Sequence, residues 1–166
     1  MGFAFDGNPT QWTGLACFAA SAAACIVAAR RRPRPWRSLA IAQAACFAEI
    51  LFGGRYLVHG AVDDVLQAAG WYPSRTPLQL GLLVVVAALT AIAVGVGWRA
   101  GRGDTPARLA TVATVVVVAQ FTIETVSLHD VDSFMYAPVG PLLIGALGWI
   151  AAATVVTFAA LRAARA

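Results

Sequence analysis

LGLLVVVAALTAIAVGVGW, residues 80–98, carries no charged side chain and a single hydroxyl, Thr90. Crossing a hydrocarbon core of about 30 Å takes roughly 20 apolar residues as helix, since no water is present there to satisfy the backbone. This stretch meets that condition. Reading outward from it, the sequence predicts five such spans at about 11–29, 38–58, 78–98, 108–128 and 140–161. The 166 residues are 60% hydrophobic and 12% charged, with a mean hydropathy of +0.74. One core of this size cannot hide so much apolar surface, so the surplus faces lipid. The expected fold is all-α: an integral membrane bundle of five transmembrane helices forming one domain over 1–166.

The arginines sort by loop. Arg30, Arg31, Arg32, Arg34 and Arg37 follow the first span, Arg99, Arg102 and Arg108 the third, and Arg162 and Arg165 close the chain. The alternate side holds Asp6, Asp63, Asp64, Asp130 and Asp132, with Arg75 as its one clear basic member. The positive-inside rule then predicts an N-terminus outside and a C-terminus in the cytoplasm, in a multi-pass protein of a cell membrane. A net charge of +4 reports that topology and gives no ground for a nucleic-acid partner. The opening MGFAFDGNPTQW lacks a basic n-region, so the first span reads as a retained anchor. Cys17, Cys25 and Cys46 fall inside spans with no metal-ligand spacing and read as small packing residues.

The spans differ in character. The first, GLACFAASAAACIVAA, is rich in small residues that allow close helix approach and should lie inside the bundle. Its RRRPRPW linker predicts a short extended turn. The third should face lipid. In the outer loop, Trp71 and Tyr72 suit the membrane interface.

The second span, SLAIAQAACFAEILFGGRYLV, contains Gln43, Glu49 and Arg55, and the fourth contains Gln120 and Glu124. An ionisable group inside a span costs about 2.5–3.5 kcal/mol on insertion scales, faces the bundle and marks function. A continuous helix puts Phe52, Tyr56 and His59 on the face of Glu49, and Gln120, Glu124 and Ser127 on one face with Phe121 beside them. Arg55 sits at a depth similar to Glu124, so an ion pair from Arg55 to Glu124, Asp130 or Asp132 is the structural alternative. A desolvated carboxyl group can hold and donate a proton, and aromatic faces stabilise a cation formed from an oily substrate.

The segment CFAEILFGGRYL, residues 46–57, resembles the signature of the integral-membrane terpene cyclases of fungal meroterpenoid and indole-diterpene pathways. The length is similar to that of their short bacterial relatives, which cyclise farnesylated indole compounds. The resemblance covers nearly all of this chain but only the first five helices of the seven-helix fungal enzymes. It implies that Glu49 is the catalytic acid, protonating an alkene or epoxide of a prenyl chain on an indole, aromatic or diketopiperazine group. It further implies a cavity lined by Phe52, Tyr56, Arg55, Phe121, Gln120, Trp149 and Trp71, with Glu124 or His129 taking the final proton. No metal or cofactor is implied, and a lipophilic prenylated molecule is the expected partner within the membrane lipid. The second essential carboxylate of the fungal enzymes, an Asp in their last helix, has no counterpart here, so either Glu124, Asp130 or Asp132 takes that role or Glu49 acts without it.

Three rival readings use the same residues. Paired intramembrane carboxylates with an arginine also occur in proton- or cation-coupled carriers and channel subunits. A non-catalytic assembly protein would turn its carboxylates outward. His59 and His129, beside Asp63, Asp64, Asp130 and Asp132, offer a donor set for a metal.

Overall fold

The computed structural model of the protein describes residues 7–72, 75–100, 103–126 and 128–165, with the side chains of residues 100, 129 and 130 outside that description. Helix α1 (Pro9–Arg31) starts where the Asn8 side chain accepts the Gln11 N–H at 2.9 Å. It ends at Arg32, and α2 (Pro33–Phe52) begins at once, with extended backbone only at Arg34. The expected linker is therefore tighter than its prolines predicted, because Pro33 is tolerated in the first turn of a helix. There follow α3 (Gly54–Ala68), α4 (Arg75–Ala100) and α5 (Thr105–Val126). A short α6 (His129–Met135) and a two-residue hairpin, β1 (Pro138–Val139) with β2 (Leu142–Leu143), lead into α7 (Ile144–Arg165).

The predicted second span is not one helix. Gly53 adopts the left-handed conformation, φ 63° and ψ 40°, which ends α2 and starts α3 at an angle of 63°. Among the described residues four helices are long and apolar enough to cross a membrane, and five crossings result if the bent pair counts as one. The chain is thus an all-α bundle built for a membrane, with four or five spans.

Helix α1 lies between α2 and α7, as its small residues predicted, and α5 packs on α7 and α4. At Gly14 an added Cβ would come within 3.3 Å of Ile50, so the close approach of α1 to α2 rests on that glycine. Helix α4 meets the bundle mainly through α5 and leaves nearly all its apolar surface outward, as expected of a lipid-facing span. Its closest seam is Gly97, where a Cβ would stand 2.7 Å from the Thr111 methyl.

Two apolar clusters fill the interior. One, around Trp36, Ala28, Ala110 and Ala160, lies toward the arginine-rich ends of the helices. The other, around Phe18, Ile50, Phe121 and Trp149, lies toward the hairpin. Between them Gln43, almost fully buried, accepts from the Ser21 hydroxyl at 2.8 Å and donates to Thr114 Oγ1 at 2.9 Å. Both hydroxyls also donate to carbonyls of their own helices, so they keep a partner when Gln43 is removed. Gln43→Leu is accordingly expected to cost only about 0.6–1.7 kcal/mol, read as a small drop in the thermal midpoint of the purified protein.

Candidate functional site

The break at Gly53 builds the site. Ending α2 there brings the Glu49 carboxylate over the first turn of α3, where Oε1 accepts the Arg55 backbone N–H at 2.9 Å. The same oxygen meets Arg55 Nη1 at 3.2 Å. Glu49 thereby caps the helix that follows its own. The other oxygen, Oε2, has no hydrogen-bond partner among the described residues and lies against Gly54, where any Cβ would be 2.7 Å away. Gly54 has no positive φ, so Gly54→Ala adds a methyl group without backbone strain and displaces only the carboxylate. Gly54→Ala is therefore expected to shift the Glu49 carboxyl group while leaving the thermal midpoint nearly unchanged, read by thermal unfolding of the purified protein.

Arg55 is the hub. Its side chain is 7% exposed and links two carboxylates, Glu49 through Nη1 and Glu124 of α5 through Nε at 3.1 Å. Nη2 donates to the Tyr56 hydroxyl at 3.1 Å, and that hydroxyl meets Tyr136 at 3.2 Å. The guanidinium carbon stands 4.5 Å from the Tyr56 ring centre, 5.3 Å from Phe121 and 5.5 Å from Trp149. A desolvated cation enclosed by three ring faces is held firmly. Outside the spans, burial raises the Tyr136 phenol above its ordinary range, with the Tyr56 hydroxyl reinforcing the effect, so Tyr136 stays a neutral partner.

Glu124 is the structural member of the cluster. Its side chain is 2% exposed, and its Oε1 accepts from Gln120 Nε2 at 3.0 Å. Gln120 also donates to the Gly145 carbonyl of α7 at 2.7 Å. Its amide oxygen lies so close to Gly148 that no Cβ fits there. Gln120 therefore fastens α5 to α7 and orients Glu124 rather than facing a cavity.

One side of the cluster opens into a cavity of about 780 Å³ bounded by α2, α3, α4 and α5. Ala42, Ala45, Leu82, Val118 and Phe121 make its walls apolar, and Glu49, Arg55, His59, Asp63 and Gln79 supply its polar groups. The size falls within the range of small-molecule sites. Comparison with family models, curated proteins and solved structures yields no match to this chain.

The expected site residues separate into distinct places. Glu49, Arg55 and Phe121 border the cavity. Glu124, Gln120 and Trp149 lie behind Arg55 in the packed interior, and Tyr56 turns to Tyr136. Phe52, expected on the cavity wall, is 66% exposed at the last position of α2 and does not border the cavity. Trp71, 68% exposed beyond the end of α3, does not border the cavity either. The side chain of His129 lies outside the described residues, as does Ser127. No group of three metal-binding side chains occurs among the described residues.

The sequence reading passed over Gly54 and Gln79, and took Asp63 only as an outer-side acid and a candidate metal donor. Gly53-Gly54 directly after the intramembrane Glu49 was the available signal, since paired glycines in a helical pattern mark a break. Asp63 pairs with His59 Nε2 at 3.4 Å and with Arg75 at 3.7 Å, and His59 Nδ1 lies 3.2 Å from the Thr125 carbonyl. These contacts join α3 to α4 and α5 at one end of the cavity.

Proposed function

We propose that this protein is a membrane-bound terpene cyclase that starts carbocation cyclisation of a prenyl chain, of farnesyl size, carried on an indole or related aromatic group. One observation carries the reading: Glu49 lines an apolar cavity with Oε1 anchored by Arg55 and with Oε2 unpartnered among the described residues. Two carboxylates face one guanidinium, an excess of one acidic group. The resemblance of residues 46–57 to the membrane cyclase signature points to the same side chain.

In this mechanism the Oε2 proton adds to the CH carbon of the distal alkene, or to the oxygen of its epoxide, and leaves a tertiary cation on the dimethyl-bearing carbon. The next π bonds close the rings in turn, and a proton leaves the last carbon as a new alkene forms. That proton passes to the polar end of the cavity, where His59 and Asp63 stand. Phe121 offers the one aromatic wall, and the aliphatic remainder excludes water that would quench the cation. Glu124 keeps Arg55 in place and does not reach the substrate.

We further propose five crossings with α2 and α3 as one bent span, an N-terminus outside and a C-terminus in the cytoplasm of a bacterial cell. The gathering of arginines at one end of the helices supports that orientation. The test of function is incubation of membranes holding the protein with a farnesylated indole. Ring-closed isomers of unchanged mass are expected, and none in membranes lacking it. A second reading, proton- or cation-coupled transport, is favoured by the same excess negative charge. Cation flux into liposomes reconstituted with the protein, with no product from prenylated substrates, would select it.

A further inference from the structure

A second cavity, about 680 Å³, opens at the opposite, arginine-rich end between the start of α5 and the end of α7. Its deeper wall is apolar, from Leu109, Val155 and Phe158, and its mouth carries Arg32, Arg162 and Thr105. It shares no lining residue with the Glu49 cavity. We infer that this groove binds an anionic phospholipid, with the phosphate at Arg32 and Arg162 and one acyl chain along Leu109, Val155 and Phe158.

Charge complementarity selects that occupant. The described arginines of this end, from Arg30 through Arg37 with Arg99, Arg108, Arg162 and Arg165, face a single acid, Asp104. Asp104 is already engaged, capping α5 through the Ala107 N–H at 3.0 Å and pairing with exposed Arg32 at 3.5 Å. Arg162 is exposed and makes no ion pair among the described residues. Asp104 also lines the groove, so an anion at the mouth meets the Arg162 guanidinium and Arg32, which Asp104 shares. Thr154, lower on the wall, has a hydroxyl with no hydrogen-bond partner among the described residues, suited to a glycerol ester carbonyl. A neutral zwitterionic headgroup would bring its own cation into this basic mouth and lose the advantage. Basic pockets between membrane helices take acidic headgroups on this logic.

The experiment is native mass spectrometry of the full chain in detergent, titrated with dioleoyl phosphatidylglycerol or dioleoyl phosphatidylcholine. One tightly held phosphatidylglycerol is expected at about one-tenth the concentration that phosphatidylcholine needs. Arg162→Gln should weaken retention about fivefold and the Arg32→Gln/Arg162→Gln pair about 25-fold, from the contribution of one arginine near an acidic headgroup. Thr154→Trp, which fills the groove and leaves the charge intact, should abolish the preference. Equal retention of the two lipids would overturn the inference, as would retention unchanged in the double variant or in Thr154→Trp. Displacement of the lipid by millimolar inorganic phosphate would also overturn it, since the site would then read the anion alone.

Discussion

Glu49→Gln is expected to lower the yield of cyclised product by at least 100-fold while leaving the fold intact. Gln keeps the size of Glu and a carbonyl oxygen that can go on accepting from the Arg55 backbone and guanidinium, so the turn from α2 to α3 survives. What it lacks is a proton acidic enough to give to an alkene. General acid catalysis contributes about 100- to 10,000-fold, and a carbocation cascade has no other start in this cavity. Product analysis by mass spectrometry, with the thermal midpoint measured alongside, separates lost chemistry from lost folding. Glu124→Gln should behave differently, because its side chain is buried behind Arg55 and faces no cavity. A loss in that variant would come with a lower midpoint.

Arg55→Met carries the largest expected effect on stability. Removing the guanidinium leaves Glu124, 2% exposed, with only the Gln120 amide and the nearby Trp149 indole N–H for company. Breaking a buried ion pair at one partner costs about 3–5 kcal/mol, because the remaining charge is neither hydrated nor balanced. Met fills a similar volume among Tyr56, Phe121 and Trp149, so little of the loss comes from packing. The double variant Arg55→Met/Glu124→Gln should therefore recover more than half of the lost stability. Thermal unfolding of the four forms in one detergent gives the coupling directly. A double variant no more stable than Arg55→Met would locate the effect in packing instead.

How much of this was legible follows from where each signal lies. The apolar runs and the sorting of arginines are properties of composition over whole windows, so the all-α membrane bundle, the enclosed first helix and the outward fourth helix could be read directly. Glu49, Arg55 and Glu124 were legible as a group because ionisable residues within spans have few places to go but each other. Their connectivity was not. Helical periodicity put Tyr56 and His59 on the face of Glu49 only if the helix continued, and Gly53 at φ 63° ends it. That one residue turns Tyr56 toward Tyr136 and brings the Arg55 backbone to Glu49. Asp63 and Gln79 read as surface loop and helix-end residues, and become cavity residues only because α3 bends back against α4 and α5. Trp149 was visible as an aromatic, but its place behind Arg55 depends on how α7 packs on α5.

The origin of the first proton is the most direct point of test. A farnesylated indole with an intact terminal alkene, cyclised by the protein in D2O, should give product carrying one deuterium on the former CH carbon of that alkene, and Glu49→Gln should give none. Cyclised product from the wild type without carbon-bound deuterium, or equal labelled product from Glu49→Gln, would contradict the assignment of Glu49 as the acid.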